Sequence, residues 1–127
     1  CIGMQVLFTS SVEAPGCAGL GVFDGTVEQI PDGPKRPQMQ WNEVDHHGPG
    51  ADHPMFTGMS EKPWMYFVHS YAVLEHPDII ATCDYGVDLG AAVARDNVWA
   101  AQFHPEKSGD SGIQVLRNFV DFAARGS

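Results

Sequence analysis

The sequence has no long apolar run and few basic residues. No stretch approaches the roughly 20 consecutive apolar residues that span a bilayer, and the first residues hold neither a basic segment nor an apolar signal core. We therefore expect a cytoplasmic protein without a membrane partner.

Basic residues are few: seven Lys and Arg stand against 16 Asp and Glu, which gives a net charge of -9. This charge on average repels nucleic-acid phosphates. Nucleic acid is not an expected partner.

Cysteine is also scarce, with Cys1, Cys17 and Cys83 and no Cys-x-x-Cys pair. An odd number without that spacing fits neither the disulfide framework of a secreted protein nor a zinc knuckle. At least one cysteine is expected to be a free thiol unless it pairs between chains. We interpret Cys17 and Cys83 as small apolar residues in or near the core.

The 127 residues, 43% of them hydrophobic, predict one globular domain, residues 1–127. Met4, Gln5, Leu7 and Phe8 are spaced as in the first turns of a short helix, so that Cys1 would lie at a helix N-terminus. The Ser, Pro and Gly residues at 10–16 would end that helix.

The following segment, "GLGVFDGTVEQI", has Asp-Gly between two apolar runs, which predicts a β-hairpin at positions 24 and 25. Positions 31–55 read as loop, with "QMQWNEV" as one short strand. "WMYFVHSYAV", "IIATCDYG", "LGAAVARD" and "NVWAAQF" are runs of strand length separated by turn signals.

The end of the chain predicts a terminal helix. Ile113, Leu116, Val120 and Ala123 lie at helical spacing and predict its apolar face. Ser111 is a candidate N-cap, and the glycine at 126 a stop signal.

Cys1, His104 and Glu106 could together form a nucleophilic site. A thiolate at a helix N-terminus is a nucleophile when a histidine can take its proton. His104 follows the apolar run "NVWAAQF" and precedes Pro105, at the rim of a sheet, and Glu106 could hold the imidazole. On the residues alone, a buried thiol and a structural histidine are the competing interpretation.

"CIGMQ" and "FHPEKS" together resemble the motifs of the class I (triad-type) glutamine amidotransferases. Within that group, "MQWNEV", "YFVHSYAV", "ATCDYG" and "FHPEKS", in this order, resemble the glutaminase subunits (HisH type) of imidazole glycerol phosphate synthase. The resemblance implies an α/β fold, a class I amidotransferase-like (flavodoxin-like) sheet with flanking helices and a small antiparallel ribbon, whose early strands are missing here.

The resemblance also implies roles for individual residues. Cys1 matches the nucleophile, His104 the general base and acid, Glu106 the residue that orients the imidazole, and the Ile2 backbone N–H an oxyanion donor. Positions that resemble those holding the substrate glutamine are Gln5, Glu13, Ser70 and Tyr71. Positions that resemble those facing a partner subunit are Met39, Trp41, Asn42 and Lys107.

The implied activity is hydrolysis of glutamine to glutamate and ammonia without a cofactor or a metal. The ammonia would pass to a (β/α)₈-barrel cyclase (HisF type), in a heterodimer that makes imidazole glycerol phosphate for histidine biosynthesis. In the family, strands and a Gly-rich oxyanion loop precede the nucleophile. We therefore expect the sequence to be the C-terminal portion of a longer protein, and a poor glutaminase by itself. Gln38, Gln40 and Ala72 stand where the family commonly has His, Gly and an aromatic residue.

Three alternatives stay open at this point. Cys1 could act as an N-terminal nucleophile with its own α-amino group as base, as in the class II amidotransferases. The chain could be an inactive glutaminase-like module that only docks on a synthase. His46, His47 and His53 could bind a metal, although a solvated polar loop explains them as well.

Overall fold

The computed structural model describes residues 2–14, 16–31, 38–46 and 52–125. Within these ranges the chain forms nine strands and two α-helices. Their bounds are α1 Ile2–Gln5, β1 Phe8–Ser11, β2 Phe23–Gln29, β3 Gln38–Glu43, β4 Asp45–His46, β5 Trp64–His69, β6 Tyr71–Ala72, β7 Ile79–Asp84, β8 Asp88–Arg95, β9 Val98–Ala101 and α2 Gly109–Ala124. Short 3₁₀ turns lie at Pro54–Phe56 and Pro105–Lys107.

The described strands form three hydrogen-bonded groups. In the first, β2 pairs with β1 in parallel and with β6 antiparallel. The second is an antiparallel ribbon of β3 and β5. The third is an antiparallel sheet in the order β4-β7-β8-β9. Because β5 leads directly into β6, the ribbon and the first group meet at residues 69–71.

Burial follows the strand periodicity. On β5, Met65, Phe67 and His69 are buried and alternate with more exposed neighbours, as the side-chain period of two requires. On β8, the run Leu89–Val93 is wholly buried, which is typical of a strand covered on both faces. The ribbon and the third sheet share one apolar cluster, while α1, β1 and β2 pack around a second.

The predicted hairpin at Asp24 and Gly25 is wrong. β2 continues through both residues and pairs in parallel with β1, with a register shift opposite them. Phe23 and Val27 are buried on the same face of this strand, so the alternation continues across the Asp-Gly pair. A Cβ at Gly25 would lie 3.3 Å from the ring of His76, so the glycine makes room for a side chain instead of making a turn.

The predicted N-terminal helix is shorter than expected, because α1 ends at Gln5 and Phe8 begins β1. Phe8 stacks on Phe23 of the neighbouring strand at 5.4 Å between ring centroids. This long-range contact, which local spacing does not reveal, favours the strand at that position.

The strands predicted from positions 38 onward are confirmed. "QMQWNEV" forms β3, and the four apolar runs that follow form β5 to β9. The additional strand β4 was not predicted, since it has only two residues, Asp45–His46. In the described part of the chain, neither helix is long and apolar enough to cross a membrane.

The terminal helix is confirmed, but its predicted apolar face is wrong. Its N-cap is Ser108 instead of Ser111, and Gly126 lies outside the described residues. The predicted residues Ile113, Leu116, Val120 and Ala123 are exposed.

A different face of α2 packs on the domain. Its buried residues are Gly112, Val115 and Asn118. The Asn118 amide donates to the carbonyl oxygens of Met55 at 2.8 Å and Thr57 at 3.0 Å. These two hydrogen bonds fix the rotation of the helix, and an apolar periodicity cannot reveal them.

The described loop histidines have structural contacts. His46 stacks on Phe56 and lies 2.8 Å from the Ser60 carbonyl oxygen. His53 accepts the Met55 backbone N–H at 3.1 Å, and burial lowers its pKa. His47 lies outside the described residues. In the ranges the structure covers, no group of three or more His, Cys, Asp or Glu could hold a metal ion.

Candidate active site

His104 is held at the end of β9 by the backbone. After Ala101 the chain continues through the buried residues Gln102 and Phe103. The backbone N–H of His104 donates to the carbonyl oxygen of Tyr66 on β5 at 2.9 Å. Pro105 then begins a 3₁₀ turn, closed by the N–H of Lys107 donating to the His104 carbonyl at 3.0 Å. The histidine thus lies where the segment after β9 is hydrogen-bonded to β5.

Ser108 connects this turn to β5. Its hydroxyl donates to the His104 carbonyl oxygen at 2.6 Å and accepts the Tyr66 backbone N–H at 2.9 Å. The side chain is buried. Sequence reasoning missed Ser108, although it is the last residue of "FHPEKS", the motif that contains His104.

We expect Ser108→Ala to lower the free energy of unfolding by about 1–3 kcal/mol, because it leaves a buried backbone N–H and a carbonyl without their shared partner. Urea unfolding measures the loss. Ser111→Ala, on the same segment but less buried, is the matched control, with an expected change within about 0.5 kcal/mol. Equal losses in the two variants would contradict the connecting role of Ser108.

The His104 ring is oriented by Glu106. The distance from His104 Nδ1 to Glu106 Oε2 is 3.1 Å. The slight burial of Glu106 raises its pKa, but hydrogen bonds from its own backbone N–H and from His104 outweigh this and leave the pKa below its ordinary value. The carboxylate is therefore ionised at neutral pH and accepts the Nδ1 proton. Nε2 remains as the ring nitrogen for proton exchange.

A cleft of about 320 Å³ opens beside His104. Its other lining residues are Gln5, Glu13, Val68, His69, Ser70 and Tyr71. The four residues predicted to hold glutamine thus line the same cleft as His104. They come from the end of α1, the turn after β1 and the junction of β5 with β6. Their role in binding stays a prediction.

Gln5 ties the N-terminal helix to the rest of this wall. Its amide Nε2 donates to the Tyr71 carbonyl oxygen at 3.0 Å and to Gln102 Oε1 at 3.2 Å. A residue 66 positions away along the chain is thereby fixed against α1. The segment that follows Cys1 is therefore held against the β5-β6 junction and the end of β9.

Cys1 and Ile2 are the two predicted site residues at the start of the sequence. Cys1 lies outside the described residues. Ile2 is the first residue of α1. Of the three predicted catalytic side chains, the structure therefore describes the His104 and Glu106 pair.

The predicted partner-facing residues Met39 and Trp41 alternate along β3 and are exposed by 61% and 47%. Their cross-strand neighbours on β5 are Val68 and Tyr66. Trp64, two residues before Tyr66, is 54% exposed and extends this face. Sequence reasoning missed Trp64, although the alternation of "WMYFV" puts it on the same face as Tyr66. We call Met39, Trp41, Trp64, Tyr66 and Val68 the ribbon face; it reaches the cleft at Val68.

The other two predicted partner residues lie nearby. Asn42 donates its side-chain amide to the Asp84 carbonyl oxygen at 2.9 Å, so its amide group is engaged within the chain. Lys107 is exposed on the turn after His104. A contact with another subunit stays a prediction for both.

Comparison with known proteins identifies the class to which this fold and cleft belong. The family model "Glutamine amidotransferase class-I" matches residues 1–122. The chain therefore belongs to the class I glutamine amidotransferase family. A solved structure described as a glutamine amidotransferase superposes with a TM-score of 0.67 at 22% identity, over 98% of this chain and 58% of that one. The expected α/β amidotransferase fold is confirmed.

Two curated relatives carry the same name. The chain is 46% identical over 126 residues to the imidazole glycerol phosphate synthase subunit HisH of Acinetobacter baylyi, covering 96% of this chain and 60% of that protein. It is 46% identical over 122 residues to the HisH subunit of Methanothermobacter thermautotrophicus, with 95% and 60% covered. The resemblance to HisH-type subunits is confirmed. The chain spans about 60% of the length of these relatives.

Proposed function

We propose that the chain carries the glutaminase chemistry of a HisH-type subunit and hydrolyses glutamine to glutamate and ammonia. One observation supports this most strongly. The His104 and Glu106 pair borders a cleft that is also lined by Gln5, Glu13 and the Ser70 and Tyr71 segment. Histidine and carboxylate in this order, beside a nucleophile, are what acyl transfer requires.

In the proposed reaction, the Cys1 thiol gives its proton to His104 Nε2, and the sulfur attacks the side-chain amide carbon of glutamine. The Ile2 backbone N–H stabilises the oxyanion. His104 returns the proton to the departing nitrogen, so ammonia leaves and a γ-glutamyl thioester remains. Water then attacks this thioester with His104 as base, and glutamate and the free thiol form. Glu106 stays ionised and holds Nδ1 throughout.

We further propose that residues 1–127 act as one domain in a cytoplasmic heterodimer. The partner would be a (β/α)₈-barrel cyclase, which uses the ammonia to form imidazole glycerol phosphate in histidine biosynthesis. The ribbon face supports this docking because it is an exposed apolar and aromatic strand surface. Its continuity with the cleft at Val68 supports a partner docked next to the proposed site of ammonia release. Lys107, on the turn after His104, is a further proposed contact.

A glutamine-analogue electrophile tests the proposal. Added to the chain together with the barrel partner, it should label Cys1 and spare both other thiols, as read by peptide mass spectrometry. Iodoacetamide is the matched reagent without a glutamine moiety. It should label Cys17, which is exposed, but not Cys83, which is buried and whose pKa is raised by burial to about 12.

Competition with free glutamine measures how specific the labelling of Cys1 is. Free glutamine should slow the labelling of Cys1 by the analogue and leave iodoacetamide labelling of Cys17 unchanged. If Cys1 is not labelled even with the partner present, the glutaminase proposal fails, and binding to the partner without labelling would indicate a docking module instead.

A further inference from the structure

Two polar side chains meet at the wall of the cleft. Gln38 on β3 and His69 on β5 are both buried. His69 Nε2 lies 2.6 Å from Gln38 Oε1. Buried polar groups are costly unless each one is hydrogen-bonded, so the directions of these contacts can be worked out.

The contacts of His69 fix where its proton lies. Nδ1 is 2.9 Å from the Tyr71 carbonyl oxygen, which only accepts, so Nδ1 carries the hydrogen. Burial lowers the pKa of His69 to about 4, and the backbone hydrogen bond opposes that effect only in part. At neutral pH the ring thus has one proton, and Nε2 is an acceptor. An acceptor cannot bond to Gln38 Oε1, which is also an acceptor.

Rotating the Gln38 amide by half a turn removes the conflict. Gln38 Nε2 is buried and, among the described residues, has no hydrogen-bond partner when Oε1 faces the imidazole. After rotation, Nε2 donates to His69 Nε2. Oxygen and nitrogen of an amide are assigned from such networks.

We propose that Gln38 and His69 form a hydrogen-bond chain of one direction, ending on the Tyr71 carbonyl, and that this chain makes His69 a positioning residue for the cleft. Gln38 Nε2 donates to His69 Nε2, and His69 Nδ1 donates to the Tyr71 carbonyl oxygen. The positioning role rests on the proposed glutamine site, whereas the hydrogen-bond chain does not.

The end of the chain lies on the wall of the cleft. The Tyr71 carbonyl accepts both His69 Nδ1 and the amide of Gln5. The preceding carbonyl, of Ser70, accepts the Ile30 backbone N–H at 2.9 Å. Both peptide groups of the Ser70 and Tyr71 segment are therefore fixed from the interior.

The neutral state of His69 also matters for His104. Both rings line the same cleft, and the charge of His104 contributes to lowering the His69 pKa. By the same repulsion, a cation at His69 would place a like charge beside the group that carries the proton in the proposed reaction. A fixed, uncharged imidazole avoids this.

Long-range ¹H–¹⁵N correlation NMR on the ¹⁵N-histidine-labelled chain at pH 7.5 tests the hydrogen-bond chain. His69→Gln assigns the signal by its loss. We expect His69 to be neutral with the hydrogen on Nδ1. A neutral His69 ring with its hydrogen on Nε2, or a doubly protonated ring, would overturn the proposal in the wild-type spectrum itself.

Substitutions at position 38 test the direction. Gln38→Glu presents only acceptors, so a hydrogen should appear on His69 Nε2. Gln38→His keeps one donor and one acceptor and should preserve the wild-type tautomer. Gln40→Glu makes the same charge change at an exposed position of the same strand and is the matched control, with no expected effect. Equal spectra for Gln38→Glu and Gln40→Glu would contradict the chain.

The positioning role has its own readout. In Gln38→Glu, the concentration of the glutamine-analogue electrophile that half-saturates Cys1 labelling should rise about tenfold, as for the loss of one hydrogen bond. It should be unchanged in Gln40→Glu and restored in Gln38→His. If wild type labels but Gln38→Glu does not shift, the positioning role falls and glutaminase chemistry stands. If wild type does not label, the proposed function fails, while the NMR result still decides the chain.

Discussion

Replacing His104 with alanine is expected to slow the labelling of Cys1 by a glutamine-analogue electrophile by about 10²- to 10⁴-fold, the usual contribution of a general base. The thiol loses the group that takes its proton, and the thiolate is the reactive form. The measurement is the rate of label incorporation at Cys1, followed by mass spectrometry in the presence of the barrel partner. Iodoacetamide labelling of Cys17 in the same sample shows that exposed thiols react as before.

His46→Ala is the matched control, since His46 lies on β4 and is not among the residues that line the cleft. The His46→Ala variant loses the stacking on Phe56, so we expect a lower free energy of unfolding but an unchanged rate of Cys1 labelling. Glu106→Gln keeps a hydrogen-bond acceptor for Nδ1 but removes its charge, and should give a smaller loss than His104→Ala. An unchanged rate in His104→Ala would contradict the triad and favour the α-amino group of Cys1 as base.

The histidine and glutamate pair could be predicted from the sequence because its geometry is local. His104 and Glu106 are two residues apart, the proline between them begins the turn, and the apolar run before them defines the strand end. The same holds for the strands of the second half, whose alternation is visible in short windows. Local patterns therefore located the best-defined part of the candidate site.

Contacts between distant residues could not be predicted in this way. The Asp24 and Gly25 pair has the composition of a hairpin turn, yet β2 continues through it beside its parallel partner β1, with a register shift at this point. On α2, the periodicity selected an apolar face, whereas the amide of Asn118 bonds to carbonyls more than 60 residues earlier. Where a polar side chain finds a partner far along the chain, hydrophobic spacing alone is misleading.

The wall of the cleft is also built from contacts between residues that are distant in the sequence. Gln5 meets the Tyr71 carbonyl across 66 positions, and Gln38 meets His69 across 31. The family resemblance selected Gln5 and Tyr71 as binding residues, but it gave no reason to expect Gln38 behind them. Gln38 departs from the family pattern, and it meets His69 because the register of β3 and β5 pairs these two residues.

Gly112→Ala is expected to destabilise the protein and to disturb the candidate active site, because α2 packs closely against the Pro105–Lys107 turn there. A Cβ at this position would lie 1.9 Å from the Pro105 carbonyl oxygen and 2.9 Å from the Ser108 Cβ. Real contacts of this kind are essentially never below 3.0 Å, so helix and turn must separate. The nearest atom belongs to the backbone, and a side-chain rotation cannot relieve the clash.

In an exposed helix interior, Gly to Ala stabilises by about 1 kcal/mol. Here we expect a net loss of roughly 1–3 kcal/mol in the free energy of unfolding, as for overpacked cores, measured by urea unfolding. Pro105 follows His104 directly, so the displacement reaches the imidazole. A misplacement of about 1 Å can lower the rate about 10²-fold, and Cys1 labelling should slow accordingly.

Arg117→Ala introduces the same residue at an exposed position of the same helix and should change stability by no more than about 0.5 kcal/mol. Arg and Ala have similar helix propensities, so this variant shows the effect of introducing alanine on α2 without placing a Cβ against the turn. A stabilised Gly112→Ala variant with unchanged labelling would show that α2 can move without moving His104. The contacts of His104 with Tyr66, Ser108 and its own turn would then be sufficient to hold the histidine in place.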